Sequence, residues 1–133
     1  MKLINLEPGN IWSGDRNLAV FTNPTEIAFR KDNLRNHYPV TFNKVWYQDA
    51  EAAYQALTKD HKEDLAECKH ICMSVIEIKF IQYPILVETI RHNGGSEWLM
   101  QCRHIVNGNA RWEGAGLQSL FIQALLDAYH FCS

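Results

Sequence analysis

The sequence predicts an α+β fold that is dominated by helices and carries a small, mainly antiparallel sheet. Much of the second half shows apolar residues three and four positions apart, the spacing of an amphipathic helix. One run in the first half is instead rich in β-branched and aromatic residues, which favour strands. The 133 residues, 47% hydrophobic and 21% charged, are enough to bury about two-thirds of the surface of the unfolded chain. We therefore expect residues 1–133 to form a single domain.

The N-terminal quarter predicts little regular structure. Residues 3–6 are expected to form a short strand. A second apolar run, residues 18–21, is stopped by a turn-type cluster at 22–25. Residues 27–37 alternate charged and amide groups without a clear period, so we expect a loop with room for one helical turn.

Residues 40–47 give the strongest strand signal of the chain, Val-Thr-Phe-Asn-Lys-Val-Trp-Tyr. β-Branched and aromatic side chains fit the pleated surface of a sheet. The polar residues Asn43 and Lys44 interrupt the run and permit a tight turn. The run therefore predicts two short strands that form a hairpin around this pair.

Helix signals begin at Asp49, which is a good N-cap. The residues that follow, 50–57, are mostly strong helix formers. Asp60 is expected to cap a further helix, in which apolar residues recur at spacings of three and four. Pro84 fits the first turn of another helix, and glycines 94–95 are expected to end it.

The C-terminal third predicts one strand and one helix. Residues 97–102, Glu-Trp-Leu-Met-Gln-Cys, are expected to form a strand. Residues 117–131 are expected to close the chain as a helix whose apolar residues share one face. We expect that face to lie in the core rather than to bind a partner.

The charge and polarity of the chain limit its partners. A formal net charge of −2 does not give the basic footprint of duplex-binding proteins, although a local patch would still allow a nucleic-acid substrate. No apolar run reaches the length of a membrane span, and residues 1–8 are too short and polar for a signal peptide. We expect a cytoplasmic protein with no membrane partner.

Cysteines and histidines leave a metal site open as an alternative. The four cysteines are at positions 68, 72, 102 and 132. With His70 and His104 nearby in the sequence, they would supply zinc ligands. The chain has no CxxC pair, however, and reduced cysteine is common in cores. We favour core thiols and expect no metal and no cofactor; His92 and His104 are expected to be surface or satisfied core groups rather than bases.

A glycine-rich loop is the strongest candidate for a ligand site. Residues 108–116 are Gly-Asn-Ala-Arg-Trp-Glu-Gly-Ala-Gly. Three glycines allow tight turns and a close approach of the backbone to a ligand. The predicted helix that follows offers free N–H groups and the positive end of its dipole, which suit a phosphate. The loop therefore favours nucleotide binding, although purely connecting loops are also glycine-rich.

Several short motifs follow one another over most of the chain. They are Phe-Thr-Asn-Pro at 21–24, Pro-Val-Thr-Phe-Asn-Lys-Val-Trp-Tyr-Gln-Asp-Ala-Glu-Ala-Ala-Tyr-Gln at 39–55, Ile-Lys-Phe at 78–80, Leu-Met-Gln at 99–101 and Asn-Ala-Arg-Trp-Glu-Gly-Ala-Gly at 109–116. In this order they resemble the motifs of the NADAR family, which is related to the bacterial swarming-associated protein YbiA. That family has a strand with an aromatic end, followed by Glu-His-x-x-Gln at the start of a helix. Glu51 and Gln55 match this pattern, and Ala52 replaces the histidine.

The resemblance implies a YbiA-like fold and an N-glycosidase. Its substrates would be ribosylated bases, either early riboflavin-pathway intermediates or ADP-ribose attached to guanine. Breaking the C1′–N bond passes through an oxocarbenium-like state, whose charge a carboxylate stabilises and whose attacking water it can activate. The resemblance implies Glu51 as this catalytic carboxylate. It implies substrate contacts for Asn23, Tyr47, Gln55, Asn109, Arg111, Trp112, Glu113 and Gly114.

Each of these roles has a structural alternative. An acid such as Glu51 is favoured in the first turn of any helix. Trp112 could stack on a base or anchor the core, and Arg111 could pair with a phosphate or be a solvated charge. Asn109 can adopt a left-handed backbone without any ligand. Asn23 could hold a turn or bind a ribose hydroxyl.

Departures from the family pattern support two other hypotheses. An arginine-rich segment of the family is largely missing, and Gln101 and Asn109 are amides where the family has acids. Glu113 stands where the family has glycine and is a candidate replacement. These changes favour a non-catalytic module that binds ADP-ribose or a nucleotide. The third hypothesis, a structural or protein-interaction domain, rests on aromatic residues expected to be exposed, namely Trp12, Trp46, Tyr47 and Trp98.

Overall fold

The structure, a computed structural model, describes residues 3–109 and 111–133. Ala110 of the glycine-rich loop therefore lies outside the described residues. In chain order, the regular elements are α1 (Thr25–Arg30), β1 (Val40–Phe42), β2 (Val45–Tyr47), α2 (Ala50–Thr58), α3 (Leu65–Gln82), α4 (Pro84–Asn93), α5 (Ser96–Gln101), β3 (Arg103–His104), β4 (Gly114–Ala115) and α6 (Leu120–Cys132). Both strand pairs are antiparallel. The predicted helix-dominated α+β class is confirmed.

The N-terminal segment forms no strand at residues 3–6, so that prediction is wrong. The backbone of Leu6 is bonded to side chains instead of to a neighbouring strand. Its N–H donates to Asn93 Oδ1 (2.7 Å), and its carbonyl accepts from Trp98 Nε1 (3.0 Å). A single parallel bridge follows, between Asn10 and the first residue of β3. Side-chain partners therefore satisfy backbone groups that a strand would have paired.

The next segment is more helical than the sequence predicts. The apolar run at 18–21 ends in a short 3-10 helix, Ala19–Phe21. Helix α1 follows at Thr25–Arg30, so it begins earlier than the predicted loop at 27–37. The buried faces of both short helices explain this, because Phe21 and Ala28 are almost completely enclosed.

The predicted hairpin is confirmed, with its turn at the expected residues. Val40 pairs with Tyr47, and Phe42 pairs with Val45. Asn43 and Lys44 have φ values of 49° and 67°, the left-handed conformation that a tight two-residue hairpin turn requires.

The helix caps agree with the sequence at most positions. The Asp49 side chain accepts from the backbone N–H three residues on (2.8 Å), as expected for the N-cap of α2. Pro84 opens α4, and Gly94 follows its last residue with a φ of 130°. The cap of α3 is different, because Asp64 rather than Asp60 accepts from the backbone N–H three residues on (3.0 Å).

Residues 97–102 are not a strand, and that prediction is wrong. Residues 97–101 belong to α5, which starts directly after two glycines of positive φ, and Cys102 is its C-cap. The buried positions of this stretch lie three and four residues apart, the period of a helix rather than the alternation of a strand. They are Gly95, Trp98, Leu99 and Cys102.

The last helix begins slightly later than expected. A 3-10 helix covers Gly116–Gln118, and Ser119 then caps α6 by accepting from Ile122 N–H (3.1 Å). The apolar face within α6 is buried as predicted, with Phe121, Ile122 and Leu125 among its enclosed residues. Leu117, which was expected to start this helix and share its buried face, precedes α6 and is exposed.

Two clusters of apolar side chains hold the elements together. The larger one joins α3 to α6 and also takes residues from the N-terminal segment, α4 and α5. The smaller one lies between the hairpin, α2 and α3. Among the described residues, no single helix is long and apolar enough to cross a membrane; α3 and α4 together pass that length and composition test, but they meet at 98°.

The aromatic residues expected to be exposed differ widely in their burial. Trp46 on β2 is 65% exposed, whereas Trp98 is buried in the larger cluster. Trp12 and Tyr47 are half-buried. Trp98 therefore cannot be part of the expected interaction surface, because α5 places its side chain in the core.

Gly116 occupies a position that a side chain would disrupt. Its φ is +53°, and a Cβ built there would lie 2.6 Å from the carbonyl oxygen of Met100. We expect Gly116→Ala to lower the free energy of unfolding, measured by chemical denaturation, by about 2 kcal/mol or more, since a left-handed backbone alone costs ~1–2 kcal/mol.

Gly108→Ala is the matched control for this prediction. Gly108 also has a positive φ (+90°), but a Cβ there meets none of the described atoms within 4 Å. Gly108→Ala should therefore lower the free energy of unfolding only by the cost of the left-handed backbone, without the added cost of a clash. Equal losses in the two variants would contradict a clash at Gly116.

Candidate functional site

One cleft gathers side chains from distant parts of the chain. Its volume is about 480 Å³, within the range of small-molecule sites. Its walls come from the N-terminal segment and the turn before α1, from α2 and the loop after it, from α3, from the glycine-rich loop with β3, and from the first turn of α6. The lining residues are Ser13, Thr22, Asn23, Pro24, Ile27, Glu51, Tyr54, Gln55, Lys62, Cys72, His104, Val106, Asn107, Asn109, Trp112, Glu113 and Phe121.

This cleft contains six of the nine residues that the sequence singled out. Glu51 and Trp112, which are far apart in the chain, both face it. The six residues are Asn23, Glu51, Gln55, Asn109, Trp112 and Glu113. The turn, helix and loop suggested by the motifs thus converge on one space.

The other three, Tyr47, Arg111 and Gly114, do not line the cleft. Tyr47 ends β2 and packs on the smaller apolar cluster. Arg111 is exposed on the loop. Gly114 pairs with His104 in the β3–β4 ladder and has a φ of +145°, so it has a backbone role. Ligand contacts were expected of all three, and the structure gives each a position outside the lining.

Glu51 lies in the first turn of α2 and is half-buried. Its Oε2 accepts from Gln55 Nε2 (2.6 Å), and Lys62 Nζ donates to Gln55 Oε1 (2.5 Å) and to Thr58 Oγ1 (3.0 Å). The Gln55 amide therefore bridges the Lys62 ammonium group and the Glu51 carboxylate. Burial raises the pKa of the Glu51 carboxyl, Asp49 adds to the rise, and the Gln55 bond opposes it.

The turn before α1 is bonded directly to the start of α2. Glu51 N–H donates to the Asn23 carbonyl (3.1 Å). Asp49 spans the same junction, because one carboxylate oxygen caps α2 while the other accepts from Glu26 N–H (3.0 Å). These bonds fix the position of Asn23 relative to Glu51.

A buried lysine supports this turn from within the core. Lys79 of α3 is 1% exposed, and its Nζ donates to the carbonyls of Val20 (2.6 Å) and Thr22 (2.7 Å). Burial lowers the pKa of Lys79 to about 7, against the opposing charge of Asp49. The lysine satisfies two backbone acceptors that would otherwise be buried without a donor.

The amide of Asn23 is enclosed at the base of the cleft. Its Nδ2 donates to Cys72 Sγ (3.7 Å), and its Oδ1 is buried without a partner among the described residues. Burial raises the pKa of the Cys72 thiol to about 12. The thiol therefore stays protonated at neutral pH and is a poor nucleophile.

Trp112 is half-buried and forms part of the cleft wall. Its ring meets the Tyr54 ring edge-on at 5.8 Å between centroids, a favourable aromatic geometry. It also packs on the larger apolar cluster, and its carbonyl accepts from Ser119 Oγ (2.6 Å). Asn109 shapes the turn before it by accepting from Arg111 N–H (3.3 Å). Trp112 therefore anchors the core, as its structural alternative states, and also lines the cleft.

Glu113 is committed to the loop that carries it. Its carboxylate accepts from the backbone N–H groups of Val106 (2.8 Å), Asn107 (2.9 Å) and Gly108 (3.0 Å). These donors hold the pKa of Glu113 down at about 2. The Glu113 carboxylate is therefore engaged by the backbone of its own loop.

His104 lines the cleft, although it was expected to be a surface or satisfied core group. Its Nδ1 bonds the carbonyl of Ile11 (2.7 Å), and its ring packs on Phe121 at 4.4 Å. Burial lowers the pKa of His104, while Ile11 and Glu113 oppose the shift. The signal that could have found it is the pairing of β3 with β4, which is visible only in three dimensions.

The cysteine thiols are used in packing and weak backbone bonds. Cys102 is fully buried and donates to the Trp98 carbonyl (3.4 Å), and Cys68 donates to the His61 carbonyl (3.3 Å). In the part of the chain that the structure describes, no three His, Cys, Asp or Glu side chains come together as a metal site would require.

Comparison with known proteins does not assign this chain to a family. The chain matches no protein-family model, and no curated protein or solved structure is significantly similar to it.

Proposed function

We propose that the cleft is the active site of an N-glycosidase that hydrolyses the C1′–N bond of a ribosylated or ADP-ribosylated base. The observation that carries the proposal is that Glu51 and Trp112 share the cleft. A carboxylate beside an aromatic wall suits a sugar that becomes positively charged next to a flat base. The motif likeness to the NADAR family supports the same chemistry.

The roles of the lining residues follow from their contacts. The Glu51 carboxylate stabilises the positive charge that develops at C1′ as the bond to the base breaks. Gln55 and Lys62 orient that carboxylate through a chain of hydrogen bonds. The exposed side of the Trp112 indole stacks on the base, and Asn23 contributes an amide near the sugar.

The test is release of a free base, followed by chromatography. Wild-type protein is incubated with ADP-ribosylated guanine and, separately, with ribosylaminopyrimidine phosphates. Time-dependent release of base from one of them, in proportion to protein concentration, is expected. Absence of release from both substrates would contradict the proposal.

A binding module without turnover is the second candidate, and Glu113 is the observation that favours it. Three backbone donors already occupy its carboxylate, so it does not restore the acid that the family has at other positions. Calorimetry with ADP-ribose distinguishes the candidates. Binding of ADP-ribose without hydrolysis of any ADP-ribosylated base supports the module, and no binding argues against both.

A further inference from the structure

The ring of His104 is held in one orientation at the wall of the cleft. Its Nδ1 lies 2.7 Å from the Ile11 carbonyl oxygen. A carbonyl only accepts, so Nδ1 carries the hydrogen and Nε2 of the neutral ring is the acceptor. Phe121 packs on the ring face at 4.4 Å, and backbone pairing with Gly114 fixes the strand beneath it.

Nε2 is uncommitted, in contrast to most polar groups around it. It has no hydrogen-bond partner among the described residues, whereas Lys62 and Gln55 bond each other and Glu113 is filled by backbone donors. Glu51 uses Oε2 for Gln55 and keeps its other oxygen open. The cleft therefore retains two proton acceptors, one on α2 and one on β3.

We propose that His104 is a second catalytic residue of this cleft, whose Nε2 takes a proton from the water that attacks C1′. This inference rests on the proposed glycosidase function. The water oxygen bonds to C1′ while the C1′–N bond breaks, and the electron pair of that bond stays on the base nitrogen. The water proton goes to Nε2 and then to the released base, directly or through solvent. Glu51 is left to stabilise the charge on the sugar.

The electrostatic surroundings suit this division of roles. Burial keeps His104 neutral at pH 7 by lowering its pKa, so Nε2 is available as a base. Burial also raises the pKa of the Glu51 carboxyl, so the two pKa values move toward each other, and the division of roles rests on the hydrogen bonds that each side chain makes. The charged groups that line the cleft with His104 are Glu51, Lys62 and Glu113, and the lining also includes the neutral acids Tyr54 and Cys72.

His104→Asn tests the proposal because it distinguishes the role of Nδ1 from the role of Nε2. The asparagine amide can still donate to the Ile11 carbonyl but offers nothing at the position of Nε2. We expect kcat for base release to fall about 100-fold, with a smaller change in KM and loss of the acidic limb of the pH profile that His104 causes. His92→Asn is the control, since His92 is exposed and does not line the cleft.

The outcomes separate this inference from the function on which it rests. If wild-type protein releases no base, both fail; if it does and His104→Asn keeps its kcat and pH profile, only the inference fails. A second measurement, made on the wild-type protein, tests the proposal even if His104→Asn does not fold. Addition of saturating ADP-ribose to ¹⁵N-histidine-labelled wild-type protein should shift the Nε2 resonance of His104, and an unchanged resonance would contradict the proposal.

Discussion

Glu51→Gln is expected to lower kcat for base release about 1,000-fold, the size of effect expected when one group that stabilises charge in the transition state is removed. Glutamine keeps the size of the side chain and can still bond Gln55, so the wall of the cleft should keep its shape. It lacks the negative charge that stabilises the oxocarbenium-like state. The measurement is chromatographic base release under saturating substrate. Because burial raises the pKa of Glu51, wild-type activity should also fall at a higher pH on acidification than an ordinary glutamate would give.

The control must remove an acid from the first turn of another helix. Glu67 lies in the first turn of α3, is exposed and does not line the cleft. Glu67→Gln therefore removes a comparable interaction with a helix dipole and should leave kcat unchanged. Full activity of Glu51→Gln, or equal losses in the two variants, would show that Glu51 has only the structural role of a first-turn acid.

Local rules account for the parts of the fold that the sequence predicted correctly. The Asn43 and Lys44 turn, the Asp49 cap and the Pro84 start each depend on neighbouring residues alone. The error at 97–102 arose because a stretch of six residues is too short to show a helical period without its neighbours. Inclusion of Gly95 would have shown buried positions at helical spacing.

The residues of the site that belong to sequence motifs were predicted, whereas the residue that reaches the site through tertiary packing was missed. Glu51 and Trp112 were placed by sequence order, and they line the same cleft. Arg111 was expected to contact the ligand, but it is exposed on the loop and does not line the cleft. His104 was set aside because its two partners, Ile11 and Phe121, come from opposite ends of the chain. Such contacts leave no trace in local sequence.

Lys79 shows how the core and the site depend on one another. The carbonyls that it bonds belong to the segment that leads into the Asn23 turn. Its folded-state pKa of about 7 lies below its ordinary value of 10.5, so between these two pH values the unfolded chain binds a proton that the folded chain does not. The contribution of Lys79 to the free energy of unfolding therefore rises as the pH rises from about 7 to 10.5, and it is lowest below pH 7.

Lys79→Met is accordingly expected to cost more stability at high pH than at low pH. At pH 9 the loss should be about 3 kcal/mol, because two buried carbonyls lose their donor. At pH 6 it should be smaller by about 2 kcal/mol, because the variant no longer buries a charge. Chemical denaturation at both pH values measures the two losses. Lys69→Met, on a partly exposed lysine of the same helix, should give a small and pH-independent change; a pH-independent loss at Lys79 would mean that the buried amine keeps its charge throughout.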